Sequence, residues 1–276
     1  MNDKGTYPAM QNDPANYDVI GQTYNTTRCA DPYLLSRIIH HLQPVDHGKY
    51  LDVGCGTGNY TIALNNAGYA LIGIDPSDIM LKVAKSKPSR VEWMQGSSES
   101  LPFNNNEFDG AIATLTVHHW KERKKGLQEI SRALKPGAHF VIFTSSPEQM
   151  KDYWLNHYFP DIMQRSIENM PSAESIIDGL LEFGFTDVRT EKYFVQDDLQ
   201  DLFLQSGKNR PEIYFQQNIR DGISTFASLS NREEVKAGLQ QLRNDIDYNL
   251  FDNIHREYES DRGDYLFIAA HKNASS

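Results

Sequence analysis

A chain of 276 residues, 39% hydrophobic and 23% charged, has material for a real core and length for one large domain or a domain with a cap. A net charge of −10 works against a nucleic-acid partner, whose phosphates call for Lys and Arg. Two cysteines, Cys29 and Cys55, exclude a disulfide framework and a cysteine metal cluster, and no apolar run reaches the roughly 20 residues of a membrane span.

Residues 1–16 are rich in Asn, Asp, Pro and Gly and read as a loose leader. They carry neither a secretory apolar core nor an Arg-rich amphipathic pattern, so a reduced, cytoplasmic location with no membrane partner is expected. Tyr17, Tyr24, Arg28 and Tyr33 precede an amphipathic helix at 34–42. Tyr24 and Arg28 either close over a cofactor or simply pack this helix on the sheet.

From there the pattern alternates. A short apolar strand at 51–53 runs into a glycine turn and a helix at 60–66. A second strand, 70–74, ends at Asp75, and Asp75-Pro76-Ser77-Asp78 opens a helix at 79–86. A third strand at 91–94 is closed by Gly96, and a fourth at 108–115 is almost continuously apolar, as a strand covered on both faces should be. Leu127, Ile130 and Leu134 share one face of a helix at 122–134 that stops at Pro136-Gly137, and a fifth strand follows at 139–143. The basic run Lys121, Arg123, Lys124, Lys125 reads as the solvated start of that helix.

After Thr144 the alternation breaks. Residues 148–170 read as one helix dense in large side chains, among them Tyr153, Trp154, His157, Tyr158 and Phe159. A helix at 175–183 and a strand near 188–195 follow, then a helix-rich stretch at 197–262 and a last strand at 264–271. Seven strands with short connections predict an α/β fold, a Rossmann-like, mostly parallel sheet wrapped by helices. The expected division is a leader at 1–16, a cofactor-binding core at 17–145, and a part at 146–276 that completes the sheet. Helical segments at about 146–171 and 197–262 are expected to cap the binding edge.

The chemistry centres on YLDVGCGTGNY, residues 50–60. Gly54, Gly56 and Gly58 follow a strand directly, the arrangement with which an open α/β sheet makes a ligand site at a strand's carboxyl end. A dinucleotide fingerprint needs Gly or Ala where Asn59 stands, and a phosphate-binding Walker loop needs a Gly-Lys-Ser/Thr ending that is missing here. Asp52, two residues before the first glycine, would repel a pyrophosphate but suits an ammonium or sulfonium. The ligand indicated is S-adenosylmethionine, with Cys55 tolerated in the turn as a small side chain.

Two further stretches reach the same edge. Asp75 is placed to accept hydrogen bonds from two ribose hydroxyls, with Pro76 and Met80 behind it; equally, Asp before Pro is a good helix N-cap. In GSSESLPF, residues 96–103, Ser97 or Ser98 can bond an adenine and Leu101 can pack on it, unless the stretch is an ordinary turn. Thr114, Leu115 and Thr116 end the fourth strand at the same crevice. His118 and His119 come next, where either serves as a general base or merely lines the pocket.

Taken together, YLDVGCGTGNY, IGIDPS, GSSESLPFNNNEFDGAIATLTVHHW and LKPGAHFVIF resemble the successive motifs of class I S-adenosylmethionine-dependent methyltransferases. The chain is most similar to the type 11 group, in the style of ubiquinone C-methyltransferases and trans-aconitate methyltransferase. The resemblance spans residues 17–145. It implies Asp52 and Gly54 near the methionine amino group, Asp75 on the ribose and the turn from Gly96 to Glu99 at the adenine, with S-adenosylhomocysteine as product. One departure is Ser97, where many relatives carry Asp.

No motif carries over beyond residue 146, the part that would choose the acceptor. Tyr24, Arg28, Trp154, His157 and Tyr158 are the candidates for touching it. A small acceptor is expected, aromatic or, if Arg28 takes part, carboxylate-bearing, methylated on O, N or C. The protein is expected to act as a monomer or homodimer. The rivals are a methyltransferase acting on RNA or protein, a cofactor-binding protein without turnover and, disfavoured by Asn59 and Asp52, an NAD oxidoreductase.

Overall fold

The structure, a computed structural model, describes residues 27–229 and 231–274. Its centre is a seven-stranded sheet in the order β3-β2-β1-β4-β5-β7-β6. The strands are β1 Lys49–Val53, β2 Ala70–Asp75, β3 Glu92–Gln95, β4 Phe108–Thr114, β5 Leu134–Thr144, β6 Phe185–Tyr193 and β7 Tyr265–Lys272. The first five run parallel, and β7 is antiparallel to both its neighbours, β5 and β6. Strand order reverses between β1 and β4, and that switch point is where an open α/β sheet leaves a crevice beyond its strand ends.

Helices cover both faces. Helix α1, Pro32–Leu42, starts where the Asp31 carboxylate accepts from Leu34 N–H at 2.9 Å with Pro at the first position. It buries Leu34, Ile38 and Leu42, four residues apart, against Tyr50, Val141 and Phe267. Helices α2 Asn59–Asn66, α3 Asp78–Ser86 and α4 Arg123–Ala133 are the crossovers between parallel strands. On the opposite face Leu51 and Val53 pack with Ile72, Ile74, Leu127 and Ile130. Alternate residues of β1 therefore feed two separate cores, as the period of two requires.

The prediction of one helix over 148–170 is corrected. Three short helices stand there, α5 Pro147–Lys151, α6 Leu155–Tyr158 and α7 Pro160–Glu168. Pro160 has no N–H to give and its ring clashes with the preceding turn, so the chain must restart there. After α8 Ala173–Glu182 and β6, the long stretch before β7 holds α9 Gln217–Asp221, α10 Ser224–Leu229, α11 Arg232–Asp247 and α12 Phe251–Glu257. These elements share a third core with α5–α7, built on Trp154, Tyr158, Phe159, Tyr214 and Phe226.

Two strand boundaries also differ. Strand β5 runs through Pro136-Gly137, where the sequence suggests a break, because a bulge shifts the register between Phe108 and Gly110 of its partner. Strand β6 starts at Phe185, and a second register shift between Thr186 and Arg189, with Asp187 at φ 50°, hides its alternation. Among the described residues no helix is long and apolar enough to cross a membrane.

Gly58 opens α2 at φ 76°, and a Cβ there would stand 2.2 Å from the Trp93 ring. We expect Gly58→Ala to destabilise the fold by about 2–5 kcal/mol, backbone strain and overpacking together. Trp93→Leu in the same chain should recover the overpacking share alone, read by chemical denaturation.

Candidate functional site

The turn after β1 is shaped from both sides. Gly54 N–H and Cys55 N–H both donate to the Ile74 carbonyl, at 2.8 and 3.0 Å, which folds the turn back over the end of β2. Gly54 and Gly56 sit at φ 75° and 55°, in the region where glycine is tolerated without strain. A Cβ on Gly54 would come within 2.0 Å of Thr116 Oγ1, whereas one on Gly56 would meet nothing within 4 Å. Gly56 leaves that space on the cavity side open.

Asp75 holds the turn. Its Oδ2 accepts from Gly56 N–H at 2.8 Å and its Oδ1 from Ser77 N–H at 2.9 Å. The reading of Asp75 as a helix cap does not hold: the cap of α3 is Ser77, whose hydroxyl accepts from Met80 N–H at 3.3 Å. Burial pushes the Asp75 carboxyl up, against those two amide bonds.

Asp52 lies beneath the turn, 3% exposed, its Oδ2 accepting from the Thr61 hydroxyl at 2.6 Å. Burial pushes it up to about 7, the Thr61 bond opposes this, and the Asp75 charge adds to it. Burial and the same two carboxylates push the Cys55 thiol well up, which disfavours the reactive thiolate.

Loops after β3 and β4 complete the edge. Glu99 Oε1 accepts from Lys121 N–H at 2.8 Å and from Glu122 N–H at 3.3 Å, fastening one loop to the other. Leu115 takes φ 53° just past β4, an unusual backbone for a bulky residue and a marker of local strain. His118 and His119 follow on a single 3-10 turn with ring centroids 3.8 Å apart. Burial and the Arg123 charge push His118 down to about 4; burial and His118 push His119 well down. Both shifts favour the neutral imidazole.

These residues line one cavity of about 410 Å³. Arg28, Asp52, Gly54, Cys55, Gly56, Asp75, Pro76, Met80, Ser97, Ser98, Glu99, Thr114, Leu115, His118 and His119 are all on its wall. Ser97 and Ser98 hydrogen-bond the Glu99 carboxylate, which holds the turn after β3 together. With the open glycine side and two acidic strand ends, the wall fits a polar, cationic cofactor such as S-adenosylmethionine.

Other expectations are corrected. Gly58 is absent from the wall; its role lies against Trp93. Trp154, His157 and Tyr158 do not line the cavity either. Trp154 is a core residue whose Nε1 donates to the Lys208 carbonyl at 3.0 Å, Tyr158 is buried beside it, and exposed His157 meets Gln241 at 2.9 Å. Aromatic density there signals a hydrophobic core and not a binding surface. Tyr24 lies outside the described residues. Arg28 does reach the cavity, but its guanidinium is held in a two-pronged ion pair with buried Asp201, which also accepts from Tyr60 Oη at 3.2 Å.

Sequence reasoning misses Asp201, Lys87 and the helical wall, where Met150, Ser166, Met170, Ile223 and Thr225 face the strand edge. Lys87 donates to Thr57 O at 2.8 Å and to Asn59 Oδ1 at 2.7 Å, and burial pushes it down to about 8. No local pattern marks any of these residues. They meet the site only through long-range packing.

Comparison with known proteins adds an independent line. The family model described as a methyltransferase domain, type 11, matches residues 51–142. Demethylmenaquinone methyltransferase of Staphylococcus carnosus is 29% identical over 219 residues, covering 75% of this chain and 86% of the relative. The enzyme of that name from Staphylococcus aureus is 32% identical over 170 residues, 52% of this chain and 70% of the relative. A crystal structure assigned to a methyltransferase of an antibiotic biosynthesis pathway in Anabaena variabilis superimposes with TM-score 0.80 at 32% identity, over 88% of this chain and 98% of that one. Phosphoethanolamine N-methyltransferase 2 of Haemonchus contortus, solved with S-adenosyl-L-methionine, shares the fold at 21% identity and TM-score 0.57, over 95% of this chain and 57% of that one. With that match in family, fold and cofactor chemistry, the chain belongs to the class I S-adenosylmethionine-dependent methyltransferases of the type 11 group.

Proposed function

We propose that this enzyme methylates a small organic acceptor held between the strand edge and the helical wall. The observation that carries the reading is the continuity of one cavity, lined at one side by the glycine turn and Asp75 and at the other by Met150, Met170 and Ile223. A cofactor subsite opening directly onto an apolar chamber suits transfer to a small partner. The name of the staphylococcal relatives, demethylmenaquinone methyltransferase, also favours an apolar, ring-bearing acceptor over a macromolecule.

In this reading residues up to 145 hold the cofactor, and the segments at about 146–171 and 197–262 cap the acceptor. S-adenosylmethionine, when bound, supplies a methyl group already activated on a sulfonium. The chain then has to bind, orient and exclude water. Asp52 would face the ammonium, Asp75 the ribose hydroxyls, and Ser97 and Ser98 the adenine. His118 and His119, both on the cavity wall, would be the side chains placed to take a hydrogen bond or proton from the acceptor. Arg28 already has its charge met by Asp201, which favours an uncharged acceptor over a carboxylate-bearing one.

Titration calorimetry with S-adenosylmethionine, S-adenosylhomocysteine and NAD tests the cofactor side. Binding of the first two and not the third is expected; NAD alone would overturn the reading. Turnover of 1,4-naphthohydroquinone, followed by mass spectrometry, tests the acceptor side, and methylation confined to RNA or protein would overturn it.

Asp75→Ala should weaken S-adenosylhomocysteine binding by about 1–3 kcal/mol, because ribose hydroxyls and the Gly56 amide lose their partner. Unchanged affinity would remove Asp75 from the cofactor.

Asp52 gives a pH signature. Raised to about 7 in the folded protein, it keeps a proton between the ordinary carboxylate range and pH 7 that the unfolded chain has lost. Stability conferred by this group therefore falls as pH rises through that window, the reverse of a salt-bridged carboxylate. A ligand ammonium facing it favours the ionised form. Close to one proton should then be released per S-adenosylhomocysteine bound at pH 6, and none by Asp52→Asn, read by calorimetry in buffers of different ionisation enthalpy. Equal release by both proteins would place the ammonium elsewhere.

A further inference from the structure

The helical wall has a chemistry of its own. The strand edge presents Asp52, Asp75 and Glu99, whereas α5 and the turns beside α7 and α10 bring Met150, Met170 and Ile223 to the cavity without a charged group. Asp201 is the one acid from this half of the chain on the wall, and Arg28 and Tyr60 hold it. Beside these apolar residues the wall carries Asn169 and Ser224, and Ser166 Oγ and Thr225 Oγ1 lie 3.0 Å apart, hydrogen-bonded to one another across α7 and α10.

The pair is more than a helix clip. Two bonded hydroxyls consume one proton between them, so the accepting hydroxyl keeps an O–H to donate. Neither side chain has another partner among the described residues, and Thr225 is only 5% exposed. Their neighbours Ile167 and Phe226 point away into the third core, so packing alone is already served there by apolar residues. The O–H left over on the cavity wall is therefore free to donate to a ligand.

We propose that Ser166 and Thr225 form the polar anchor of the acceptor, and that the acceptor is an uncharged, largely apolar molecule carrying a hydrogen-bond-accepting oxygen. This rests on the reading of the cavity as a methyl-transfer site. The apolar wall binds the body of the molecule, the anchor fixes its far end, and an anionic analogue is rejected because the helical wall holds no cation to meet it.

Three matched probes test this on protein loaded with S-adenosylhomocysteine: 2-naphthol, 2-methylnaphthalene and 2-naphthoate, by equilibrium dialysis. Wild-type protein should bind 2-naphthol about threefold to tenfold more tightly than 2-methylnaphthalene and at least about tenfold more tightly than 2-naphthoate. Ser166→Ala with Thr225→Val should erase the preference for the oxygen, while Thr225→Ser keeps it. S-adenosylhomocysteine affinity should be the same in all three proteins, which separates loss of the anchor from loss of the fold. Equal binding of naphthol and methylnaphthalene by wild type, tighter binding of naphthoate, no binding of any neutral probe, or an unchanged preference in the double variant would each overturn the proposal. Failure of S-adenosylhomocysteine to bind wild type would instead overturn the methyl-transfer reading beneath it.

Discussion

The site hangs on the reach of Asp75 across the end of β2 to the Gly56 amide at 2.8 Å. That bond fixes a turn whose glycines sit in left-handed backbone, and Ile74 O, taking two amides of the same turn, completes the anchorage. Three glycines give this loop little side-chain packing of its own, so hydrogen bonds to the neighbouring strand set much of its shape. Because β1 and β2 are paired in register from Lys49 with Ala70 to Val53 with Ile74, the reach is set by the sheet itself. A slip of one residue would exchange the faces of the strand and put Asp52 and Val53 in each other's place.

Around that turn the molecule brings distant pieces of chain into one network. Arg28 and Asp201 stand 173 positions apart, yet pair on the cavity wall, and Tyr60 from α2 bonds the same carboxylate at 3.2 Å. Asn59 Nδ2 donates to the Arg28 carbonyl at 3.0 Å, while its Oδ1 accepts from Lys87. The segment before α1, the first crossover helix and the stretch after β6 are thereby tied together. Buried charges of this sort are weak evidence for stability, but removing one partner leaves the other stranded and costly. The network holds the wall of the chamber relative to the turn.

The electrostatics divide the cavity. Three carboxylates lie on its strand edge, one raised to about 7 by burial, and the helical side is apolar with hydroxyls. His118 and His119 follow the strained strand exit through Leu115, and burial favours their neutral forms.

Most of the sheet was legible in the sequence, because apolar strands, glycine exits and amphipathic helices are local signals. Asp52, the glycine turn, Asp75 and the Gly96 turn were legible from position alone, since each ends or follows a parallel strand and parallel strands end at one edge. Helix continuity over 148–170 was not legible, as large apolar residues masked the restart at Pro160, and bulges hid the starts of β5 and β6. The aromatic residues Trp154 and Tyr158 mislead for a related reason: composition says that a side chain is large, and only packing says which way it faces. Asp201, Lys87, Ser166 and Thr225 have no local signature at all. The sequence by itself determined the fold class and the cofactor edge, because those depend on short-range periodicity and turn chemistry. Which side chains between 146 and 262 face the cavity was settled by the tertiary structure, because that depends on long-range contacts that bury one side of each helix.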